Sequence, residues 1–224
     1  MLLIASSFIP ALFIAVFFYA MDKHKEPLYY LARAFVAGML SILLVILLIL
    51  LLPEIRLTHG PDRNALIDAF YNAAFKEELS KFVLLMLCTW RARHFDEWYD
   101  GILYGVLVGL GFAFIENIKY FYQFYDDSGW YVIIGRTIFS MPLHALLGGT
   151  MGYFIGKFRF SAGPDRVQWL LLALVIPVLV HGLFNFSLTV LVVNLKWLIL
   201  PIVFLLWVRV LAYKKVTQSG QSPG

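Results

Sequence analysis

Long apolar stretches dominate this chain and constrain its fold more than any other feature of the sequence. A membrane-spanning helix needs about 17 to 20 largely apolar residues. Seven stretches approach or exceed that length: residues 2–21, 27–52, 66–90, 99–122, 131–156, 168–192 and 195–213. With 61% hydrophobic and 14% charged residues, the composition excludes a soluble domain of 224 residues. Backbone polar groups in lipid must be satisfied internally, so we predict an all-α, polytopic membrane bundle of about seven transmembrane helices.

The polar connections between these stretches are short, and they carry most of the positive charge. None is long enough for a separate domain, so residues 1–216 are predicted to form one transmembrane domain, with a disordered tail at 217–224. Nine Lys and Arg residues follow the first, third, fifth and seventh spans, against four on the opposite side. This bias predicts an outside N-terminus and a cytoplasmic C-terminus. It also accounts for the net charge of +4, so no nucleic-acid role is predicted.

Glu77 and Glu78 stand side by side in the third apolar stretch, and Lys81 follows them at helical spacing. Ionisable groups at membrane depth are costly, so their default interpretation is functional. The alternative is a helix start near the interface, with Lys81 as the ion-pair partner of Glu77. Adjacent residues on a helix point about 100° apart, so one carboxylate can face a site while the other meets Lys81 or a neighbouring helix.

Four spans carry rare polar residues at a matching depth. Depth is counted in positions from the cytoplasmic end of each of the third to sixth spans. Glu77 lies 13 positions in, Glu116 lies 16, His144 lies 13 and His181 lies 15. At 1.5 Å per residue this is roughly 20 to 24 Å for all four, in one layer of the outer half of the membrane. Asn117 adjoins Glu116, and Asn185 lies one turn after His181.

Each of these groups also has a purely structural interpretation. Glu116 can pack against Lys119, Asn117 can be an interhelical hydrogen-bonder, and a lone buried histidine is more often structural than ligating. Arg136, near the outer edge of the fifth span, either snorkels to the interface or neutralises the carboxylates.

Glycine recurs at every fourth position in the fourth and fifth spans. The two series are Gly101, Gly105 and Gly109, and Gly148, Gly152 and Gly156. Small residues on one helical stripe let backbones approach closely, so these two helices are predicted to pack tightly inside the bundle.

Two adjacent carboxylates, a third carboxylate and two imidazoles are the components of a metal-assisted hydrolase. A proton- or ion-coupled transporter is the alternative from another class, since buried Glu, His and Lys also form proton relays. Against it, the sequence shows neither the inverted repeat nor the broken helices typical of transporters. A non-catalytic membrane-binding protein would have no use for two adjacent buried glutamates.

Four short motifs follow one another on successive spans: Glu77-Glu78-x-x-Lys81, Phe112-x-x-x-Glu116, His144-x-x-x-Gly148 and His181-x-x-x-Asn185. In this order they resemble the PrsW family of bacterial intramembrane proteases, which is related to type II CAAX prenyl endopeptidases and bacteriocin-immunity proteins. The resemblance extends over about residues 10–210. It implies a multi-pass protease of the bacterial inner membrane. Such an enzyme clips a membrane-tethered protein substrate, an anti-sigma-factor-like regulator, on the extracytoplasmic side.

The expected chemistry is peptide-bond hydrolysis in a water-filled cavity that opens outward. The expected catalytic residues are Glu77, Glu78, Glu116, His144 and His181. One of the two adjacent glutamates is the general base, and the ligands of a zinc ion are Glu116, His144 and His181.

Asn185 is expected to support His181 or to hold the oxyanion, with Lys81 and Asn117 as further supporting residues. In a metal-free version, a glutamate activates water and the His181–Asn185 pair forms the oxyanion hole. The sequence leaves both versions open.

Overall fold

The computed structural model describes residues 2–56, 61–90, 92–124, 129–163 and 166–190, and all regular structure in them is helical. In chain order the elements are α1 (Leu2–Met21), α2 (Leu28–Leu51), α3 (Pro61–Ile67), π1 (Asp68–Phe75), α4 (Lys76–Thr89), α5 (Trp98–Gln123), α6 (Gly129–Gly135), π2 (Arg136–Ser140), α7 (Met141–Phe160) and α8 (Val167–Val190), where π denotes π-helical turns. The all-α prediction is confirmed. The predicted seventh span and the predicted disordered tail lie outside the described residues.

Two of the predicted spans are each built from three helical segments. α3, π1 and α4 follow one another without a break, as do α6, π2 and α7, because the residues at the junctions keep right-handed helical dihedrals. The π2 turn immediately precedes the helix that carries Pro142. Proline cannot donate a hydrogen bond four residues back and crowds the carbonyl there, so a wider turn relieves the clash. Nothing in the local sequence explains π1.

Five helical units of the described chain are long and apolar enough to cross a membrane: α1, α2, α5, the α6–π2–α7 rod and α8. The α3–π1–α4 rod is not among them, and residues 76–81 alone contain four charged side chains. The crossing of the membrane by residues 66–90, the total of seven spans and the orientation of the termini therefore stay predictions.

The helices α5 and α7 form the centre of the bundle and touch backbone to backbone. Within the apolar window of α5, 89% of the residues are buried, against 22% for α1 and α2. A methyl group added at Gly105 would overlap the carbonyl oxygen of Gly148, and one added at Gly152 would overlap that of Gly101. The prediction that the fourth and fifth spans pack tightly is confirmed at these positions.

The remaining helices surround this central pair. α2 packs on α5 and α4, α1 packs on α5, and α8 packs on α7 and π1. The outer faces of α1 and α2 expose large apolar side chains such as Phe13 and Leu50. Exposed apolar surface of this extent suits contact with lipid.

We expect Gly105→Ala to destabilise the protein by more than about 2 kcal/mol, because the added methyl group meets a backbone oxygen that cannot move aside. The measurement is thermal unfolding of detergent-purified protein. Gly135→Ala is the matched control, because a Cβ there meets no atom within 4 Å. The control should be neutral or stabilising by up to about 1 kcal/mol, the helix-propensity gain. Equal stability of the two variants would contradict the close contact of α5 and α7.

Candidate active site

A cavity of about 720 Å³ opens between π1, α4, α5, the α6–π2–α7 rod and α8. Most of its wall is apolar, with side chains such as Ala73, Val132, Phe139 and Phe184. Its polar lining includes Glu77, Glu116, Arg136, His144, His181 and Asn185. Four residues that the sequence placed at one depth on four spans thus border a single cavity.

A continuous chain of polar contacts runs from α4 through α7 to α5, and its residues His144 and Glu116 line the cavity. Lys81 Nζ lies 2.5 Å from Glu78 Oε1 and 3.0 Å from His144 Nδ1, and His144 Nε2 lies 2.9 Å from Glu116 Oε2. The ammonium group can only donate, so in this arrangement His144 Nδ1 accepts and Nε2–H donates to Glu116. Lys81 also lies over the ring of Phe112, 4.3 Å from its centroid. The motif phenylalanine therefore packs against the buried cation.

The two adjacent glutamates have different surroundings. Glu78 is fully buried, does not line the cavity, and accepts hydrogen bonds at Oε1 from both Lys81 and His181. Glu77 lines the cavity. Its Oε2 is buried without a hydrogen-bond partner in the described structure. Lys81 thus pairs with Glu78 three residues back, and the alternative in which it pairs with Glu77 is wrong.

His181 is oriented by Glu78. Its Nδ1 donates to Glu78 Oε1 over 2.7 Å, which leaves Nε2 3.8 Å from Glu77 Oε2. A histidine that donates one ring N–H to a carboxylate presents the other nitrogen as a well-aimed base or metal ligand. This geometry makes Glu78 a residue that positions His181.

Arg136 is the cation that pairs with Glu116. It donates to Glu116 Oε2 and, over 2.9 Å, to Asn117 Oδ1. Lys119, the partner considered from sequence spacing, is exposed and lies over the Tyr120 ring instead. Of the two roles considered for Arg136, the structure therefore shows neutralisation of a carboxylate. Asn117 contributes by holding that guanidinium.

Some cavity-lining residues were not predicted. Asp68, Tyr120 and Ser140 also border the cavity. Ser140 lies one turn before His144, so the same helical spacing that suggested Asn185 could have identified it. Asp68 belongs to π1, where a spacing of 3.6 residues per turn does not apply.

A comparison with known proteins identifies the family of this chain. A family model described as PrsW family intramembrane metalloprotease matches residues 26–212. The chain belongs to this family. It is therefore an enzyme, a peptide hydrolase that works within a membrane, and the resemblance read from the four motifs is confirmed.

Curated relatives match over most of their length. Protease PrsW of Bacillus subtilis (strain 168) is 34% identical over 206 residues, which cover 92% of this chain and 90% of the relative. Protease PrsW of Clostridioides difficile (strain 630) is 34% identical, covering 82% and 77%. Protease PrsW of Oceanobacillus iheyensis is 32% identical, covering 92% and 91%. No solved structure matches the chain.

The described residues fit a metal ion. Glu77, His144 and His181 each offer one donor atom, and these atoms lie within 4.8 Å of one another. The unpartnered Glu77 Oε2 is an orphaned buried acceptor that a cation would satisfy. Glu116, the carboxylate predicted as a ligand, is not part of this group, and its Oε2 already accepts from Arg136 and His144.

Lys81→Met should destabilise the PrsW-family fold by about 3 to 5 kcal/mol, because it leaves the buried Glu78 carboxylate without its cation. Adding Glu78→Gln should recover most of that loss, since the uncompensated charge is then gone. Thermal unfolding in detergent measures both variants. Lys119→Met, which removes an exposed lysine of α5, is the control and should change stability little. If Lys81→Met is as stable as this control, the buried ion pair does not form.

Proposed function

We propose that this chain hydrolyses a peptide bond of a membrane-tethered protein inside the cavity described above. The observation that carries the proposal is the convergence of Glu77, His144 and His181 at the wall of a cavity within a bundle of apolar helices. Apolar walls suit the side chains of a membrane-embedded segment, and the polar side supplies the groups that hydrolysis needs.

A zinc ion, when bound, would be held by Glu77, His144 and His181, and it would polarise the carbonyl and make the attacking water more acidic. One carboxylate and two imidazoles form a ligand set that zinc enzymes use. His144 Nε2 must give up its proton before it can serve as a ligand. In this tautomer the proton of the neutral imidazole is on Nδ1 instead. Nδ1 can then no longer accept a hydrogen bond from Lys81, which keeps its ion pair with Glu78.

Glu116 is the carboxylate that accepts the proton of the attacking water in this proposal. Once His144 Nε2 no longer donates to it, Glu116 Oε2 keeps only Arg136 as a partner and borders the cavity. Glu116 then returns the proton to the leaving amine. Asn185, one turn after His181 on the same wall, donates to the carbonyl oxygen as negative charge develops on it. The sequence suggested the opposite assignment of the carboxylates, with Glu116 as ligand and Glu77 or Glu78 as base.

Metal content and cleavage in three variants separate these assignments. We expect Glu77→Gln and His181→Ala to lose both bound zinc and cleavage of a single-pass membrane substrate in proteoliposomes. Glu116→Gln should keep zinc and lose activity by about 100-fold or more, as expected for removal of a general base. Glu54→Gln, which changes an exposed carboxylate paired with Arg56, is the control and should keep both.

The other outcomes each overturn one part of the proposal. Zinc retained in Glu77→Gln and lost in Glu116→Gln would restore the assignment drawn from the sequence. Zinc retained in all three variants would place the ion elsewhere and favour water activation by a glutamate alone. Proton or ion flux across proteoliposomes without hydrolysis would favour the transporter.

We further propose that cleavage takes place on the extracytoplasmic side of the bacterial inner membrane, on an anti-sigma-factor-like regulator. The cavity is bordered by the C-terminal parts of α5 and α8, represented by Tyr120 and Thr189, and by α6. These ends lie away from the connections that are rich in Lys and Arg. The positive-inside bias therefore supports an outward opening.

Cysteine labelling tests this orientation in a Cys88→Ala background. Glu54→Cys and Asp96→Cys place a thiol at exposed positions of two connections that the charge bias assigns to opposite sides. We expect a membrane-impermeant maleimide to label the first in intact cells and the second only after lysis, so each variant is the control of the other. The reverse pattern would place the cavity on the cytoplasmic side and exclude extracytoplasmic cleavage.

A further inference from the structure

A second carboxylate cluster lies at the end of the bundle remote from the active site. It consists of Asp22, directly after α1, together with Glu97 and Asp100 at the start of α5. Asp100 precedes Glu116 by 16 residues on the same helix, which corresponds to about 24 Å. The peptide-hydrolysis mechanism makes no use of this cluster.

The three carboxylates are close together; Asp22 and Asp100 are buried, and Glu97 is half-buried. One oxygen from each lies within 4.8 Å of the other two. Asp22 is 4% exposed and Asp100 is 0% exposed. Carboxylates are almost never buried to this extent unless they are paired or bind a metal ion.

Helix capping explains only one oxygen of Glu97 and of Asp100. Glu97 and Asp100 form a reciprocal capping box, in which Asp100 Oδ2 accepts from the backbone N–H groups of Asp96 and Glu97 over 3.0 and 2.8 Å. Asp22 Oδ1 likewise accepts from the backbone N–H of His24. The second oxygen of each carboxylate is buried with no hydrogen-bond partner in the described structure; these atoms are Asp22 Oδ2, Glu97 Oε1 and Asp100 Oδ1.

Two neighbouring basic groups, Lys25 and His24, meet other atoms than the three unpartnered oxygens. Lys25 Nζ donates to the backbone oxygens of Tyr19 and Asp22. His24 is largely exposed and meets Glu97 at Oε2, the oxygen opposite the unpartnered one. Each of the three clustered carboxylates thus keeps one oxygen without a hydrogen-bond partner in the described structure, and a cation bound within the cluster would satisfy such oxygens.

We propose that Asp22, Glu97 and Asp100 form a site for a hard divalent cation, Mg²⁺ or Ca²⁺, that joins the end of α1 to the start of α5. Carboxylate oxygens are the ligands these ions prefer, whereas zinc and copper sites favour nitrogen or sulfur. Water molecules complete the coordination, as is usual for Mg²⁺. Ordered contacts surround the site, since Tyr99 donates to the Phe18 backbone oxygen over 2.7 Å and Tyr104 donates to Glu26. The site is independent of the proposed hydrolytic mechanism.

Thermal unfolding of the full chain in detergent tests this site. After treatment with EDTA, titration to saturation with Mg²⁺ or with Ca²⁺ should raise the Tm of the unaltered protein by roughly 5 to 10 °C at about 100 times Kd. Asp22→Asn should abolish this rise. In EDTA the same variant should be more stable than the unaltered protein, because it removes one of three mutually repelling carboxylate charges. Comparison of the two titrations identifies the preferred ion.

Two controls separate this site from the active site and from nonspecific effects. Glu77→Gln alters the proposed catalytic metal group, and Glu54→Gln alters an exposed carboxylate; both should keep the full Tm response. Tb³⁺ luminescence supplies a second readout, because Trp98 and Tyr99 lie between Glu97 and Asp100 in the chain and can sensitise a bound lanthanide. Luminescence should be at least about 10-fold weaker in Asp22→Asn, which loses one of three charged ligands.

Three outcomes would overturn the proposal. The first is the absence of any Tm rise with either ion. The second is a rise in Asp22→Asn that equals that of the unaltered protein. The third is a response lost in Glu77→Gln, which would assign the effect to the catalytic group.

Discussion

The backbone contact between α5 and α7 is the constraint on which the rest of the structure depends. Gly109 of α5 lies against the carbonyl oxygen of His144, so the helix that carries Glu116 and the helix that carries its partner imidazole share one close interface. A side chain at any of these glycines would force the two helices apart, because its Cβ would overlap backbone atoms of the facing helix. The 2.9 Å contact between His144 and Glu116 therefore follows from glycine packing as much as from the polar residues themselves.

The three carboxylates of the active-site cluster differ in whether a cation is paired with them. Glu78 is paired with Lys81, and Glu116 with Arg136. Glu77 makes no ion pair with a lysine or arginine in the described part of the chain; the imidazoles of His181, 3.8 Å away, and of His144 lie near it, and it faces the cavity. A largely buried carboxylate without a matched cation is costly, and binding a metal ion or taking up a proton lowers that cost. Among the three carboxylates, Glu77 is thus the one without a matched cation in the described structure.

The sequence alone predicted the helices α1, α2, α5 and α8, because a long apolar segment in lipid must satisfy its backbone hydrogen bonds internally and therefore forms a helix. It also predicted the glycine contact and the set of polar residues at one depth. It left open which of Glu77 and Glu78 meets Lys81, since both lie within one turn of it and only tertiary packing distinguishes them. It likewise left two roles open for Arg136. Asn117 and Glu116 precede Arg136 by 19 and 20 positions, and they become its neighbours only when α5 and π2 pack together.

The π-helical segments explain why simple helical periodicity fails at this site. π1 ends at Phe75, two residues before Glu77, and π2 ends at Ser140, four residues before His144. One extra residue in a turn rotates every later side chain by about 100° relative to a regular α-helix. Suppose that residues 68–75 formed a regular α-helix and still packed against α8. The helix α4 would then be rotated, and a residue other than Glu77 would face the cavity. Wide turns before Glu77 and His144 thus set the direction of two site residues, in keeping with the frequent occurrence of such turns at functional sites.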